Sequence, residues 1–261
     1  MAASDWNPAL YSRFEQERTR PAADLLARVP LDAAARVMDL GCGPGNSTEL
    51  LAKRYPQAQL SGLDSSPQML QAARQRLPQA RFESGDIAAW SATLRFDLLF
   101  ANASLQWVPD HERLLPRLLA ALRAGGVLAV QVPDNRNEPT HELMRELAAQ
   151  PPFAGLIDRD ATRRVRIEAP ERYYDLLAPL AEVDLWRTVY YHPMADAAAI
   201  VAWVSATGLR PFLERLADDR RGEFLAEYQR RVEAAYPARA DGARLLRFPR
   251  LFLLARRRDG G

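Results

Sequence analysis

The chain has 261 residues, 48% of them apolar, which is ample for one large domain or one domain carrying a substantial insertion. Its 35 Lys and Arg against 33 Asp and Glu leave a net charge of +2, so no overall field argues for nucleic acid or a membrane surface as partner. The start MAASDWNPAL lacks the basic and apolar regions of a signal peptide, no apolar run approaches the ~20 residues of a membrane span, and one cysteine excludes an internal disulfide, so a cytoplasmic location is expected.

Leu10 to Val29 reads as a helix with Leu10, Phe14, Leu25 and Leu26 on its apolar side and a break near Pro21. Tyr11, Arg18 and Arg20 stand just upstream of the first strand. The stretch Val37 to Thr48, VMDLGCGPGNST, begins with a short buried strand and then breaks at Gly41, Gly43 and Gly45. Asn46, with Glu49 three residues on, is expected to cap the helix that follows. Glycines at this turn allow a ligand to approach the main chain, and open amides at the helix start favour a negative group. The spacing is G-x-G-x-G, which departs from the dinucleotide G-x-G-x-x-G, and no Gly-Lys-Ser/Thr ending marks a P-loop.

After the glycines, strand and helix alternate. Gln59 to Leu63 is a second strand ending in Asp64 and Ser65, and Ser66 caps a helix opened by Pro67, with Met69, Leu70, Ala73 and Leu77 on one face. Asp64 follows Gly45 by 19 residues, at the strand tip where doubly wound folds bind ribose hydroxyls. Arg81 to Ser84 is a third strand leading into Asp86 and Ile87, and Phe96 to Ala101 a fourth leading into Asn102 and then ASLQW. Asp110 to Leu122 is helical, with Pro116 starting a new helix or kinking this one; Gly125-Gly126 ends it, and Val127 to Val132 is a fifth, fully covered strand. Right-handed crossovers place the carboxyl ends of all five strands, and hence the ligand, on one edge.

From Pro133 the rhythm is lost. A helix follows around His141 to Ala148, and Pro151 to Ile167 is irregular, carrying Arg159, Arg163, Arg164 and Arg166. Val183 to Tyr191 reads as a sixth strand and Leu251 to Ala255 as a seventh, separated by a largely helical insertion. The closing ARRRDGG reads as an exposed tail.

The pattern D-L-G-C-G-P-G resembles motif I of class I S-adenosylmethionine (SAM) methyltransferases. That resemblance implies SAM as cofactor, with Asp39 facing its amino acid end, Gly41, Gly43, Gly45 and Asn46 cradling it, and Asp64 with Ser65 at the ribose. It also implies Asp86 at the adenine amine, Ile87 packed on the ring, and Asn102 where the methyl is presented. The chain lacks the N/D-P-P-Y type motif of nucleic-acid amino methylases at this last position, which favours a small-molecule acceptor. The fold implied is α/β, a Rossmann-like doubly wound, mostly parallel seven-stranded sheet with a helical cap inserted near the C-terminus. Residues 1–30 would form a helical cover, 31–133 the SAM-binding core, and 134–182 with 192–249 the substrate cap.

Beyond motif I, the stretches WNPALY, ERTRPAADLLARVP, ANASLQWVPDH, VQVPDN, EPTHELMRE, DLWRTVYYHPM, WVSATGLRP and FPRLFLLARR resemble the trans-aconitate methyltransferase family over most of the chain. That resemblance implies methyl transfer from SAM to a carboxylate oxygen of a small tricarboxylate; the chain is expected to act as a monomer. A tricarboxylate calls for arginine forks and hydroxyl or indole donors, which makes Arg20, Trp107, Tyr190, His192, Trp203, Thr207 and Arg210 the substrate-binding candidates. A carboxylate is already ionised at neutral pH, so no general base is required. His111, His141 and His192 are scattered, no metal spacing appears, and Cys42 fits a small packing residue inside the cradle. Three alternatives remain open on the residues alone: another carboxylate or oxygen acceptor, a nicotinamide dehydrogenase, which would want glycine where Asn46 stands, and an inactive SAM-binding module.

Overall fold

The computed structural model describes residues 15–158, 167–205 and 207–258. Leu10, Tyr11, Phe14, Arg159, Arg163, Arg164 and Arg166 lie outside them. The chain divides into two compact units, one made of Met1–Pro133, Val165–Arg187 and Leu251–Gly261, the other of Asp134–Arg164 and Thr188–Arg250.

In the first unit, α1 (Glu15–Ala27) precedes β1 (Arg36–Leu40), α2 (Asn46–Arg54), β2 (Gln59–Asp64), α3 (Pro67–Arg76), β3 (Arg81–Ser84) and β4 (Phe96–Asn102). A 3-10 turn (Leu105–Trp107), α4 (His111–Ala120), β5 (Leu122–Pro133) and α6 (Pro170–Leu177) complete it, with α5 (Pro139–Ala148) belonging to the second unit. β6 (Ala181–Met194) and β7 (Arg244–Arg257) each run through residues of both units. The sheet order is β3-β2-β1-β4-β5-β7-β6. β1 pairs in parallel with β2 and β4, β2 with β3, and β4 with β5. The seventh strand is antiparallel: the amide of Arg258 donates to Leu180 at the start of β6, and Trp186 stacks on Phe252 at 4.9 Å.

The order reverses at β1, so β1 and β4 leave the sheet side by side at their carboxyl ends, the position doubly wound sheets give to ligands. A core of Leu40, Leu99, Leu105, Leu118, Leu128 and Leu253 fixes this edge from behind. α4 supplies its share through His111, Leu114, Leu115, Leu118 and Leu119, a 3.6-residue stripe.

The second unit carries α7 (Ala197–Ser205), the short α8 (Arg210–Leu213) and α9 (Asp218–Ala235). Phe153 meets Phe224 edge-on at 5.0 Å, and the Tyr228 hydroxyl donates to the Thr140 carbonyl at 2.8 Å, tying α9 to α5.

Several expectations need correction. α1 continues through Pro21 without a break, and of the two alternatives at Pro116 no new helix starts there, because both rings sit on helices whose apolar faces are buried and each forfeits a single backbone bond. Asn46 does not cap α2: Gly45, with φ +92°, is the cap and offers no side-chain cap bond, and Glu49 pairs with Lys53 and Arg76 instead. β5 begins at Leu122 and absorbs Gly125, whose φ of +72° accompanies a register irregularity opposite Phe96 to Leu98. α6 was not anticipated, and both late strands are longer than expected.

Candidate functional site

The site starts from the turn after β1. The carbonyl of Leu63 at the end of β2 accepts the amides of Gly41 (2.7 Å) and Cys42 (3.0 Å), which pins the loop to the neighbouring strand. Gly41 has φ +78°, and a Cβ there would fall 2.3 Å from the Ser104 Cβ. Ser104, in the loop after β4, donates its hydroxyl to the Leu40 carbonyl at 2.6 Å. The loops after β1 and β4 are therefore in contact through a position that only glycine can occupy.

Gly43 differs: φ is +54°, but no atom lies within 4 Å of where its Cβ would be. It faces a small cleft lined by Arg18, Thr19 and Ala22 of α1, by Gly41 to Pro44, by Asn46 and Ser47, and by Asn102. α1 is held over this cleft in part by the Asn46 side-chain amide, which donates to the Thr19 hydroxyl at 3.4 Å. Among the described residues, the Oδ1 atoms of Asn46 and Asn102 are buried without a hydrogen bond. Buried acceptors of this kind ordinarily have partners, so a cleft holding two of them suits a polar ligand with donors.

Asp39 is fully buried, its Oδ2 accepting from the Ser47 and Thr48 hydroxyls, both at 2.7 Å, while its Oδ1 makes no bond. Burial pushes its carboxyl up from the ordinary 3.8 to about 6; the two hydroxyls oppose the rise and the negative charge of Asp64 adds to it. Asp39 thus clasps the first turn of α2. Asp64, at the tip of β2, accepts from the Gly43 amide (2.9 Å) and the Ser66 amide (2.9 Å), and so shapes the cradle from its other side. Ser65 is exposed beside it. Asp86 is exposed, with Oδ1 accepting from the Ala88 amide at 2.8 Å, whereas Ile87 is buried and its carbonyl accepts from Arg117. Burial also pushes the Cys42 thiol up, which leaves it protonated and unreactive.

The substrate-binding candidates divide by unit. In the first, Arg20 lies exposed on α1, while Arg18, two residues earlier, is buried in the cleft wall. Trp107 ends the 3-10 turn, 37% exposed. In the second unit, Tyr190, His192 and Trp203 form one buried cluster: His192 stacks on Trp203 at 4.9 Å and on Tyr190 at 6.1 Å, and Phe248 closes the group edge-on to Trp203 at 5.6 Å. Thr207 is half-buried in the turn after α7, and Arg210 pairs with Glu214 one helical turn on at 2.7 Å. Arg250 was missed by the sequence reading. It is 3% exposed and its guanidinium lies 4.8 Å over the Phe248 ring. The signal was available in FPRLF, where alternation on a strand puts Phe248 and Arg250 on one face. Among the described residues no group of three or more His, Cys, Asp and Glu could hold a metal ion, and no helix is long and apolar enough to cross a membrane.

A methyltransferase domain model matches residues 37–126, from β1 into the start of β5. A trans-aconitate 2-methyltransferase of Variovorax paradoxus is 62% identical over 97% of this chain and 99% of that one. Another, from Paracidovorax citrulli, is 63% identical over 97% and 98%. In fold, the chain is similar to phosphoethanolamine N-methyltransferase 2 of Haemonchus contortus, solved with phosphomonomethylethanolamine and S-adenosylhomocysteine. That match has a TM-score of 0.57 at 16% identity, covering 92% of this chain and 53% of that one.

Proposed function

Because this chain belongs to the trans-aconitate 2-methyltransferase family, we propose that it transfers the methyl group of SAM to a carboxylate oxygen of trans-aconitate, giving a monomethyl ester and S-adenosylhomocysteine. The observation that carries the cofactor half of this reading is the cleft at Gly43, which a Cβ would fill and where Asn46 and Asn102 present buried acceptor oxygens that lack partners. Those residues fit SAM. Gly41, Gly43 and Gly45 would admit its methionine part, Asn46 and Asn102 would accept from the ammonium, and Arg18 would pair with the carboxylate. Asp64 and Ser65 would take the ribose hydroxyls, and Asp86 and Ile87 the adenine. When bound, SAM supplies an electrophilic methyl on a sulfonium.

The protein's own contribution is arrangement. A carboxylate substrate needs no proton removed, so its oxygen has only to be held in line and kept from water, and orientation of this kind is worth roughly 7–11 kcal/mol. In the second unit, Arg250 is the arginine best suited to hold a carboxylate. Its guanidinium lies over the Phe248 ring, which itself packs with His192 and Trp203. Trp107 and Arg20 are the candidates for the acid in the first unit, and Thr207 is a further candidate in the second.

Mass spectrometry of protein incubated with SAM and, separately, trans-aconitate, cis-aconitate and citrate tests this directly. A product heavier by one methylene with trans-aconitate alone is expected. Formation from none of the three, with SAM still raising the melting temperature, would leave the cofactor reading standing and remove the acceptor. In the same assay Arg250→Met should raise the acceptor KM more than Arg210→Ala does, with SAM affinity unchanged in both; the reverse order would return the role to Arg210.

A further inference from the structure

We propose that His111 is a positioning residue for methyl transfer, setting the turn that carries Trp107 through a buried hydrogen-bonded chain; this rests on the reaction proposed above. His111 is the first residue of α4 and is buried. Its Nε2 lies 2.9 Å from the Leu105 carbonyl and its Nδ1 2.7 Å from the Tyr173 hydroxyl. The Tyr173 oxygen in turn accepts the amide of Glu168 at 3.2 Å.

The protons in this chain have one arrangement when the imidazole is neutral. A carbonyl only accepts, so Nε2 carries the hydrogen and donates it to Leu105. Nδ1 is then an acceptor, and the Tyr173 hydroxyl donates to it while receiving from Glu168. The partner on the second ring nitrogen thus selects the tautomer that the first one needs. Tyr173 also packs against the imidazole, ring centroids 5.8 Å apart, which restricts its rotation.

What the chain holds is the turn after β4. The turn's own backbone bonds are few, from Trp107 to Ser104 and from Val108 to Leu105, and the residue before it, Ala103, has a φ of +53° that alanine rarely adopts. Ser104 touches the glycine cradle at Gly41, and Trp107 leads outward from the same turn. A donor on the Leu105 carbonyl from α4 therefore fixes a segment that joins the cofactor cradle to a candidate wall of the acceptor site. Replacement of the imidazole should displace the acceptor geometry more than the cofactor's, because Gly41 and Cys42 are also held by Leu63.

The test compares wild type with His111→Phe, His111→Gln, Tyr173→Phe and the His111→Phe/Tyr173→Phe double variant, reading kcat and KM for the acid, SAM affinity by calorimetry, and acrylamide quenching of Trp107 fluorescence against a Trp107→Phe blank. His111→Phe should lower kcat roughly 10- to 100-fold, the scale set by about an ångström of misplacement, with SAM affinity within about twofold and Trp107 quenching changed. Tyr173→Phe should show a smaller loss in the same parameter, the double variant no more than His111→Phe alone, and His111→Gln, whose amide can still donate to Leu105, partial recovery. Unchanged kcat in folded His111→Phe, an equal loss in SAM affinity, or additive losses in the double variant would overturn the proposal. If His111→Phe does not fold, Tyr173→Phe decides: a kcat and quenching equal to wild type overturns it. Wild type failing to methylate any acid would contradict the reaction instead, and the quenching comparison would then judge His111 by itself.

Discussion

Gly41 and Gly43 both have positive φ, yet a methyl added to each should fail in a different way. At Gly41 the left-handed backbone costs about 1–2 kcal/mol, and the Cβ would collide with Ser104 at 2.3 Å, adding overpacking of roughly 1–3 kcal/mol. At Gly43 only the backbone cost applies, because the Cβ would enter open cleft. Gly43→Ala should therefore fold with a modest loss in chemical denaturation while SAM binding by calorimetry disappears; normal binding would refute the cradle. Asp39 makes a second prediction through its raised pKa. Protonated Asp39 favours the folded state, so its contribution is full below pH ~4 and lost as pH rises through about 6, a change on the order of 3 kcal/mol. Unliganded Asp39→Asn should gain stability relative to wild type between pH 4 and 7, and bind SAM more weakly; a difference that stays flat with pH would contradict the buried charge. At this scale the residues gathered around the glycine turn were legible because a motif spaces them along the chain. The burial of Arg18 and Arg250 was not, since it depends on what folds over an arginine.

Among the described residues, the turn between β4 and α4 holds the non-glycine residues with positive φ, Ala103 at +53° and Asp110 at +56°. Asp110 compensates by capping α4, its side chain accepting the Arg113 amide at 3.3 Å. Ala103 has no such return, and Ala103→Gly should raise folding stability by up to about 1 kcal/mol in denaturant unfolding. A fall in stability would show that the conformation is not strained. The first five strands and their helices were readable because apolar runs, caps and glycines agree with one another over each segment. Proline misled at Pro21, read as a break, where burial of α1 outweighs one lost backbone bond, and no new helix starts at Pro116. α6 was invisible for the opposite reason, its buried face amounting to Tyr173 and Leu177 only. β6 and β7 were read short because their outer portions alternate or carry arginines, and the pairing that extends them lies between residues far apart in sequence, as with Trp186 and Phe252.

Over the whole molecule, the α/β rhythm pointed to a doubly wound fold and near-neutral charge to a small-molecule acceptor, whereas SAM came from the resemblance of D-L-G-C-G-P-G to motif I and the acid from stretches shared with a family of known substrate. The residues proposed for the cofactor fall in the first unit, and the aromatic cluster with Arg250 in the second. The chemistry assigned to them is simple: an ionised oxygen, an activated methyl, and a protein that arranges the two. The most direct test is a long-range carbon–proton NMR correlation on the product made from trans-aconitate and SAM labelled with carbon-13 in its methyl group. The account predicts a labelled methoxy group coupled to a single carboxyl carbon, with S-adenosylhomocysteine in equal amount. A labelled methyl on carbon, or label left entirely on SAM while the protein is saturated with both ligands, would contradict it.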